Sequence, residues 1–306
     1  MAFFLGIDAG GTKTECVIGD ETSLLGSSFG STVKIKKVGT EAARKALTAA
    51  VRAVGREAGV DAHNIAHTCI GIAGSSIREV TDWTQKILGE LVSGEVTVVN
   101  DALIAHRAAF RGEAGVLVIA GTGSHVLGVN ERGETERAGG WGPIISDEGS
   151  GFWIGRLAVA QAMRAYDCTH SVNLLAGIME AWNLASVEAV VSMANSNPPP
   201  DFASLLPAIL RCADSGDPLA REILASSAAE LANLARIVIR KLWPMPAKIT
   251  VAVTGGVFAH SSHIGQMFAN AIRAERPDVI VNLEPAHPVM GALSIARQKA
   301  GAARVG

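Results

Sequence analysis

The chain opens with an apolar run, Phe3-Phe4-Leu5-Gly6-Ile7, that stops at Asp8, turns through Gly10-Gly11 and resumes as Cys16-Val17-Ile18. Two apolar runs joined through paired glycines predict a β-hairpin. From Thr40 to Gly59, Ala43, Ala46, Leu47, Ala50, Val51 and Val54 recur at helical spacing, and the closing glycine predicts the stop. Thr68 to Ala73 reads as a short buried strand turning at Gly74. Val80 to Leu91 reads as a helix, and Val96 to Val99 as a strand ending at Asn100-Asp101. Strand–helix–strand order predicts a parallel sheet covered on both faces.

The opening pattern then returns. Ala114 to Ala120 is an apolar run that breaks at Gly121-Thr122-Gly123-Ser124 and resumes as Val126-Leu127-Gly128-Val129. Two similar hairpins a third of the chain apart predict a duplicated domain, with two phosphate-facing loops across a cleft. Helices are predicted over 149–166, 202–213 and 218–241, the last opened by Asp217-Pro218, a capping side chain followed by proline at the first helical position. Asn195 to Pro200 is a polar, proline-rich loop. Ile249 to Val253 predicts a strand leading into a third glycine turn, Thr254-Gly255-Gly256-Val257, whose amides can face a nucleotide. Pro288 to Ala300 predicts a final helix.

Composition narrows the classes. At 306 residues the chain exceeds the size at which one core usually divides, so two domains are expected. With 48% hydrophobic and 18% charged residues it is globular and not disordered. A net charge of −2, with no basic block longer than Lys34-Ile35-Lys36-Lys37, argues against nucleic acid or anionic membrane as partner. The apolar start lacks a basic leader and is cut short by Asp8, and no run nears the roughly 20 apolar residues of a membrane span. The four scattered cysteines (Cys16, Cys69, Cys168, Cys212) form no Cys-x-x-Cys pair and are expected to be reduced, buried small hydrophobes of a cytoplasmic protein.

Three blocks offer chemistry. At the first turn, Gly10 and Gly11 let backbone approach a ligand, Thr12 and Thr14 can donate to phosphate oxygens, and Asp8 can hold hydrated Mg²⁺. A plain hairpin remains the alternative. Asp101, after a strand end and before a helical segment, reads either as a general base at the sheet's carboxyl edge or as the helix N-cap. Gly139-Gly140-Trp141-Gly142 places an indole in a glycine-rich loop, where it can lie against the apolar face of a sugar or base. Asp147 can accept hydrogen bonds from sugar hydroxyls, or else Asp147 or Ser150 caps the following helix. His125 beside the second turn reads as a structural histidine.

Taken in order, Asp-Ala-Gly-Gly-Thr-Lys-Thr, Asn-Asp-Ala, Ala-Gly-Thr-Gly-Ser, Gly-Gly-Trp-Gly with Asp-Glu-Gly-Ser-Gly-Phe-Trp, and Thr-Gly-Gly-Val resemble the actin/hexokinase/Hsp70 superfamily. The match is to its N-acetylglucosamine kinase and BadF/BadG ATPase branch, over residues 3–298. The resemblance implies an α/β fold of duplicated actin-like ATPase (ribonuclease H-like) domains with an inter-domain cleft. One domain would span 1–112 plus 288–306, the other 113–287. It implies an ATP-dependent kinase that phosphorylates a hydroxyl, expected at O6, of a hexose or N-acetylhexosamine, with N-acetylglucosamine the leading acceptor. ATP and Mg²⁺ would be the cofactors, a small-molecule sugar the partner, and a homodimer is compatible.

By motif, the resemblance makes Asp101 the catalytic base and Asp8 the metal-holding residue. Gly10, Gly11, Thr12 and Lys13, with Gly121, Thr122 and Gly123, would face phosphates, and Gly255 with Gly256 the adenosine. Gly74, Gly140, Trp141 and Asp147 would contact the sugar. One segment departs from the pattern: related N-acetylhexosamine kinases carry an asparagine in a sugar loop after the first hairpin, and Gly30 to Gly39 here has none. Glucose, glucosamine and N-acetylmuramate are the competing acceptors. An ATPase activator of the BadF/BadG type would need cluster-binding cysteines, and a ROK-type kinase or repressor a cysteine-rich zinc segment; both patterns are missing.

Overall fold

The computed structural model describes residues 2–75, 77–169 and 172–303; Met1 and 304–306, the ends of the expected first domain, lie outside them. The chain divides into two compact units, residues 1–113 with 286–306, and residues 114–285.

The first unit begins as a three-stranded meander, β1 (Phe3–Ala9), β2 (Lys13–Gly19) and β3 (Leu24–Ser31), each antiparallel to the last. A short helix α1 (Ile35–Val38) and the long α2 (Thr40–Ala58) follow, then β4 (Ile65–Ile72), α3 (Arg78–Gly89), β5 (Glu95–Val99) and α4 (Asp101–Phe110). Both β4 and β5 run parallel to β1, giving the order β3-β2-β1-β4-β5. The sheet is therefore mixed, not parallel as the strand–helix–strand order predicts. The difference is β2, the return strand of the opening hairpin; β1, β3, β4 and β5 all run the same way.

Alternation along β1 assigns its faces. Leu5, Ile7 and Ala9 pack with Leu47, Val51 and Val54 of α2 in one core. Phe4 faces the other side, with Val17, Cys69, Ile104 of α4 and Val289, Ala292 and Leu293 of the final helix α12 (Pro288–Ala303, numbered at its place in the chain). Ile7 and Leu47 are wholly buried, each worth on the order of 2 kcal/mol.

The second unit repeats the plan. The strands β6 (Gly115–Ala120), β7 (Ser124–Val129) and β8 (Thr135–Gly139) form an antiparallel meander. After the helices α5 (Gly151–Thr169), α6 (Asn173–Ala181), α7 (Val187–Ala194), α8 (Leu206–Asp214) and α9 (Pro218–Leu242), β9 (Thr250–Thr254) joins β6 in parallel. The helices α10 (Gly256–His260) and α11 (Ser262–Glu275) lead to β10 (Ile280–Asn282), parallel to β9. Its order, β10-β9-β6-β7-β8, is that of the first sheet read from the other end. The duplication expected from two glycine hairpins is thus a duplication of topology.

Local chemistry explains the helix boundaries. Asp217 caps α9 by accepting from the Ala220 N–H at 2.9 Å, with Pro218 next in line. The helix expected over 202–213 is a 3₁₀ turn, Phe202–Leu205, before α8, because Pro207 has no N–H to extend an α-helical ladder backwards. Burial corrects the cysteine expectation: Cys16 and Cys69 are buried, but Cys212 is only partly so and Cys168 is exposed. The buried stripe of α5 runs through Gly151, Ile154, Gly155, Ala158, Val159 and Ala162, and position 168 falls off it. Among the described residues no helix is long and apolar enough to cross a membrane.

Candidate active site

In the first unit, β1, β4 and β5 are parallel, so their carboxyl ends share one edge, where open α/β sheets bind ligands. Asp8 with Gly10-Gly11, then Gly74, then Asp101 all fall there. The cap of α4 is Asn100, whose side chain accepts from the Ala102 N–H at 2.9 Å. Asp101 is therefore not the N-cap but the first helical residue, its Oδ1 3.0 Å from the same N–H. Gly74 has φ +82° and accepts from the Ile77 N–H at 2.9 Å in the turn after β4.

Asp8 is the most perturbed carboxyl of this edge. Burial, then the neighbouring charges of Asp101 and Glu15, push it up to about 7, with Lys13 pulling the other way. Glu15 faces it because Asp8 and Glu15 are directly paired across β1 and β2. A half-buried carboxylate facing two more is a donor set short of positive charge. Mg²⁺ suits it, since that ion takes one or two protein carboxylates and completes its shell with water and phosphate. No group of three or more acidic, histidine or cysteine side chains arranged to ligate a metal by themselves occurs among the described residues.

Gly10 and Gly11 form the turn with Thr12, which is exposed. Lys13 is committed elsewhere: its ammonium lies 4.8 Å over the Phe29 ring and 3.9 Å from Glu15. The sequence did not reveal what holds the turn from the other side. The Thr32 hydroxyl donates to the Gly10 carbonyl at 2.9 Å, and Lys37 Nζ reaches the Gly11 carbonyl at 3.5 Å.

In the second unit the loop after β6 is built around hydrogen bonds to α5. The Gly121 and Thr122 carbonyls accept the Gly151 and Phe152 N–H groups at 2.8 and 3.2 Å. The Ser124 hydroxyl donates to the Glu148 carbonyl at 2.7 Å, tying the turn to the acidic loop. Gly123 lies against Asp147: a Cβ there would sit 2.8 Å from Asp147 Oδ2. Asp147 itself is left-handed, φ +63°, and only 7% exposed. Burial raises its pKa, offset in part by hydrogen bonds from the Gly142 and Ser124 backbone and by nearby His125. The cap of α5 is Ser150, accepting from the Trp153 N–H at 3.1 Å, so Asp147 is not spent on capping.

Trp141 is 61% exposed, with the Arg137 guanidinium 4.6 Å from its ring centre, a cation–π contact the sequence reading missed. Gly140 precedes it at φ +73°. Gly255 follows β9 with φ +103°, and a Cβ there would overlap the Ala120 carbonyl oxygen, so the third turn packs directly on the second. Gly256 then opens α10. The Gly121 and Gly255 turns thus share the carboxyl edge of β6 and β9.

Two copies of one meander-then-parallel sheet, each with a glycine turn at its carboxyl edge, define the duplicated actin-like ATPase class. Within that class the chain belongs to the BadF/BadG/BcrA/BcrD ATPase family, whose pattern it matches over residues 5–296. It is 29% identical over 304 residues to the N-acetylmuramic acid/N-acetylglucosamine kinase of Clostridium acetobutylicum, covering 98% of this chain and 99% of that one. It is also 29% identical to the N-acetyl-D-glucosamine kinase of Dictyostelium discoideum over 311 residues, 96% and 97% of the two chains. Its fold matches a crystal structure from Chromobacterium violaceum assigned as an N-acetylglucosamine kinase, with a TM-score of 0.76, 23% identity and coverage of 96% and 98%.

Proposed function

We propose that this protein is an ATP-dependent sugar kinase that transfers the γ-phosphoryl group to a hydroxyl, O6 by family analogy, of a hexose or N-acetylhexosamine. One observation carries the reading. Asp101 stands at the carboxyl edge that also bears Asp8 and the Gly10-Gly11 turn, and its charge is felt by the half-buried Asp8 carboxyl. An acceptor alcohol beside Asp101 passes its proton to that carboxylate as its oxygen bonds to the γ-phosphorus and the bond to the ADP oxygen breaks. Mg²⁺, held through Asp8, would neutralise charge on the β- and γ-phosphates. The Gly10, Gly11 and Thr12 amides would face the terminal phosphates, and Gly121, Thr122 and Gly123 form the corresponding phosphate turn of the second unit by family analogy. Gly255 and Gly256 would face the adenosine by family analogy.

Trp141 offers an exposed indole to the C–H face of the sugar, and Asp147, held by backbone N–H groups, accepts from its hydroxyls. The two relatives at 29% identity, both named as kinases of N-acetylated aminosugars, support that acceptor class. The test is a coupled ADP-release screen over glucose, glucosamine, N-acetylglucosamine and N-acetylmuramic acid. Sugar-dependent release with at least one aminosugar is expected. Release at the same rate with and without every sugar would sink the proposal.

A further inference from the structure

Arg137, exposed on β8, has no part in the roles above, yet its guanidinium is stacked on Trp141. Alternation along β8 explains its exposure. Ala138 turns into the core and Glu136 lies near α9, where it pairs with Lys241 at 2.9 Å; Arg137, in register with Leu127, takes a different side of the strand from Ala138. Among the described residues it has no carboxylate partner, unlike the arginines that do form ion pairs. The contact it makes is with the indole, whose ring centre is 4.6 Å away.

Nearness in sequence does not produce that contact. Four residues of extended strand would carry the ring about 13 Å along the chain. The backbone instead curls back through Gly139 and Gly140, both at φ +73°, a conformation costly for any side chain. Gly140 passes so close to His125 that a Cβ there would lie 2.8 Å from the His125 Cβ. The reversal returns the indole to Arg137.

A second restraint holds the backbone. The Asp147 carboxylate accepts a hydrogen bond from the backbone of Gly142, the residue after Trp141. The Gly142 carbonyl in turn takes the Ile145 and Ser146 N–H groups at 3.1 and 2.9 Å. The chain at Trp141 is thereby fixed relative to the acid. What remains free is rotation of the indole about its own side-chain bonds, which sets where its face points. The guanidinium removes that freedom by lying over one face. Trp141 is still 61% exposed, and that open area belongs to the opposite face and the ring edge.

We infer that Arg137 is a positioning residue for the acceptor sugar: by stacking on one face of Trp141 it holds the indole with its other face presented to the sugar. The inference rests on the reading of Trp141 and Asp147 as sugar contacts and adds a residue to which that reading gives no part. Arg137 acts through the ring, not on the sugar itself.

The test is a double-mutant cycle in the full-length protein with N-acetylglucosamine as acceptor, comparing Arg137→Met, Trp141→Ala and the pair. Arg137→Met should raise the sugar KM about two- to fivefold, the range of an exposed cation–π contact, with a smaller change in the KM for ATP. In the Trp141→Ala background the same substitution should leave the sugar KM where Trp141→Ala put it. Equal effects in both backgrounds, or a wild-type sugar KM in Arg137→Met, would overturn the inference. A wild-type sugar KM in Trp141→Ala would remove Trp141 from the sugar, and the inference with it. The clamp is also read without turnover. The protein has five tryptophans, so the Trp141 fluorescence is taken as the difference between proteins with and without that residue. Acrylamide quenching of it should increase in Arg137→Met; unchanged quenching would refute the clamp. If no sugar supports turnover, that failure belongs to the kinase reading, and quenching still decides for Arg137.

Discussion

Asp8→Asn tests the electrostatics of the site without any substrate. In the folded chain the Asp8 carboxyl is raised from 3.8 to about 7, first by burial and then by Asp101 and Glu15. Between pH 4 and 7 the folded protein holds a proton that the unfolded chain has released, so stability declines as pH rises through that window and is flat above it. A displacement of about three pH units, at ~1.4 kcal/mol each, sets a ceiling of about 4 kcal/mol on the destabilisation at pH 8. Asparagine keeps the shape and removes the charge. The variant should be more stable than wild type by about 1–3 kcal/mol at pH 8 and match it near pH 4. Urea unfolding in chelator-treated buffer at both pH values measures the difference. Millimolar Mg²⁺ at pH 8 should then narrow the gap by stabilising the wild type alone. A variant equal to or weaker than wild type at pH 8 would refute the account of Asp8 as a strained, charge-poor carboxylate.

Other expectations follow from single contacts. The Thr68 hydroxyl is buried in β4 without a hydrogen-bond partner among the described residues, so Thr68→Val should stabilise the protein by about 1 kcal/mol, read from denaturant midpoints. A loss of stability would mean that the hydroxyl is satisfied. Asp147→Asn should raise the sugar KM severalfold more than the ATP KM; the reverse pattern would detach Asp147 from the sugar.

The parts legible in the sequence were those whose information is local. The Asp8 hairpin, helix α2 with its left-handed Gly59 stop, and α9 with its Asp217-Pro218 start all write their period and punctuation within a few residues. Strand β3 did not, because five of the eight residues from Leu24 to Ser31 are glycine or serine and the strand is held by pairing with β2 and packing on α2. Strand β8, a short edge strand reading Thr-Glu-Arg-Ala-Gly, shows no apolar alternation either. Helices α6 and α7 were hidden for another reason: short apolar stretches between polar loops do not declare a period, whereas α11 does carry a helical spacing in Ile264, Phe268 and Ile272.

The site divides the same way. Asp8 and Asp101 stand at ends of recognisable strands, so their shared edge could be anticipated once the strands were placed. Glu15 opposite Asp8, Arg137 over Trp141, and Thr32 and Lys37 on the Gly10 and Gly11 carbonyls depend on register and long-range return of the chain. Nothing in their immediate sequence announces them. Cap assignment needed the coordinates too, since Asn100 and Asp101, or Asp147 and Ser150, are equally good candidates on composition alone.

The central claim is that Asp101 takes the proton from a sugar hydroxyl. Rapid-quench measurement of ADP and sugar phosphate formation, comparing wild type with Asp101→Asn at saturating ATP and aminosugar, addresses it directly. The account predicts that the variant still binds nucleotide but forms sugar phosphate at least about 10²-fold more slowly, the scale of a lost general base. A variant turning over sugar at near wild-type rate would contradict it.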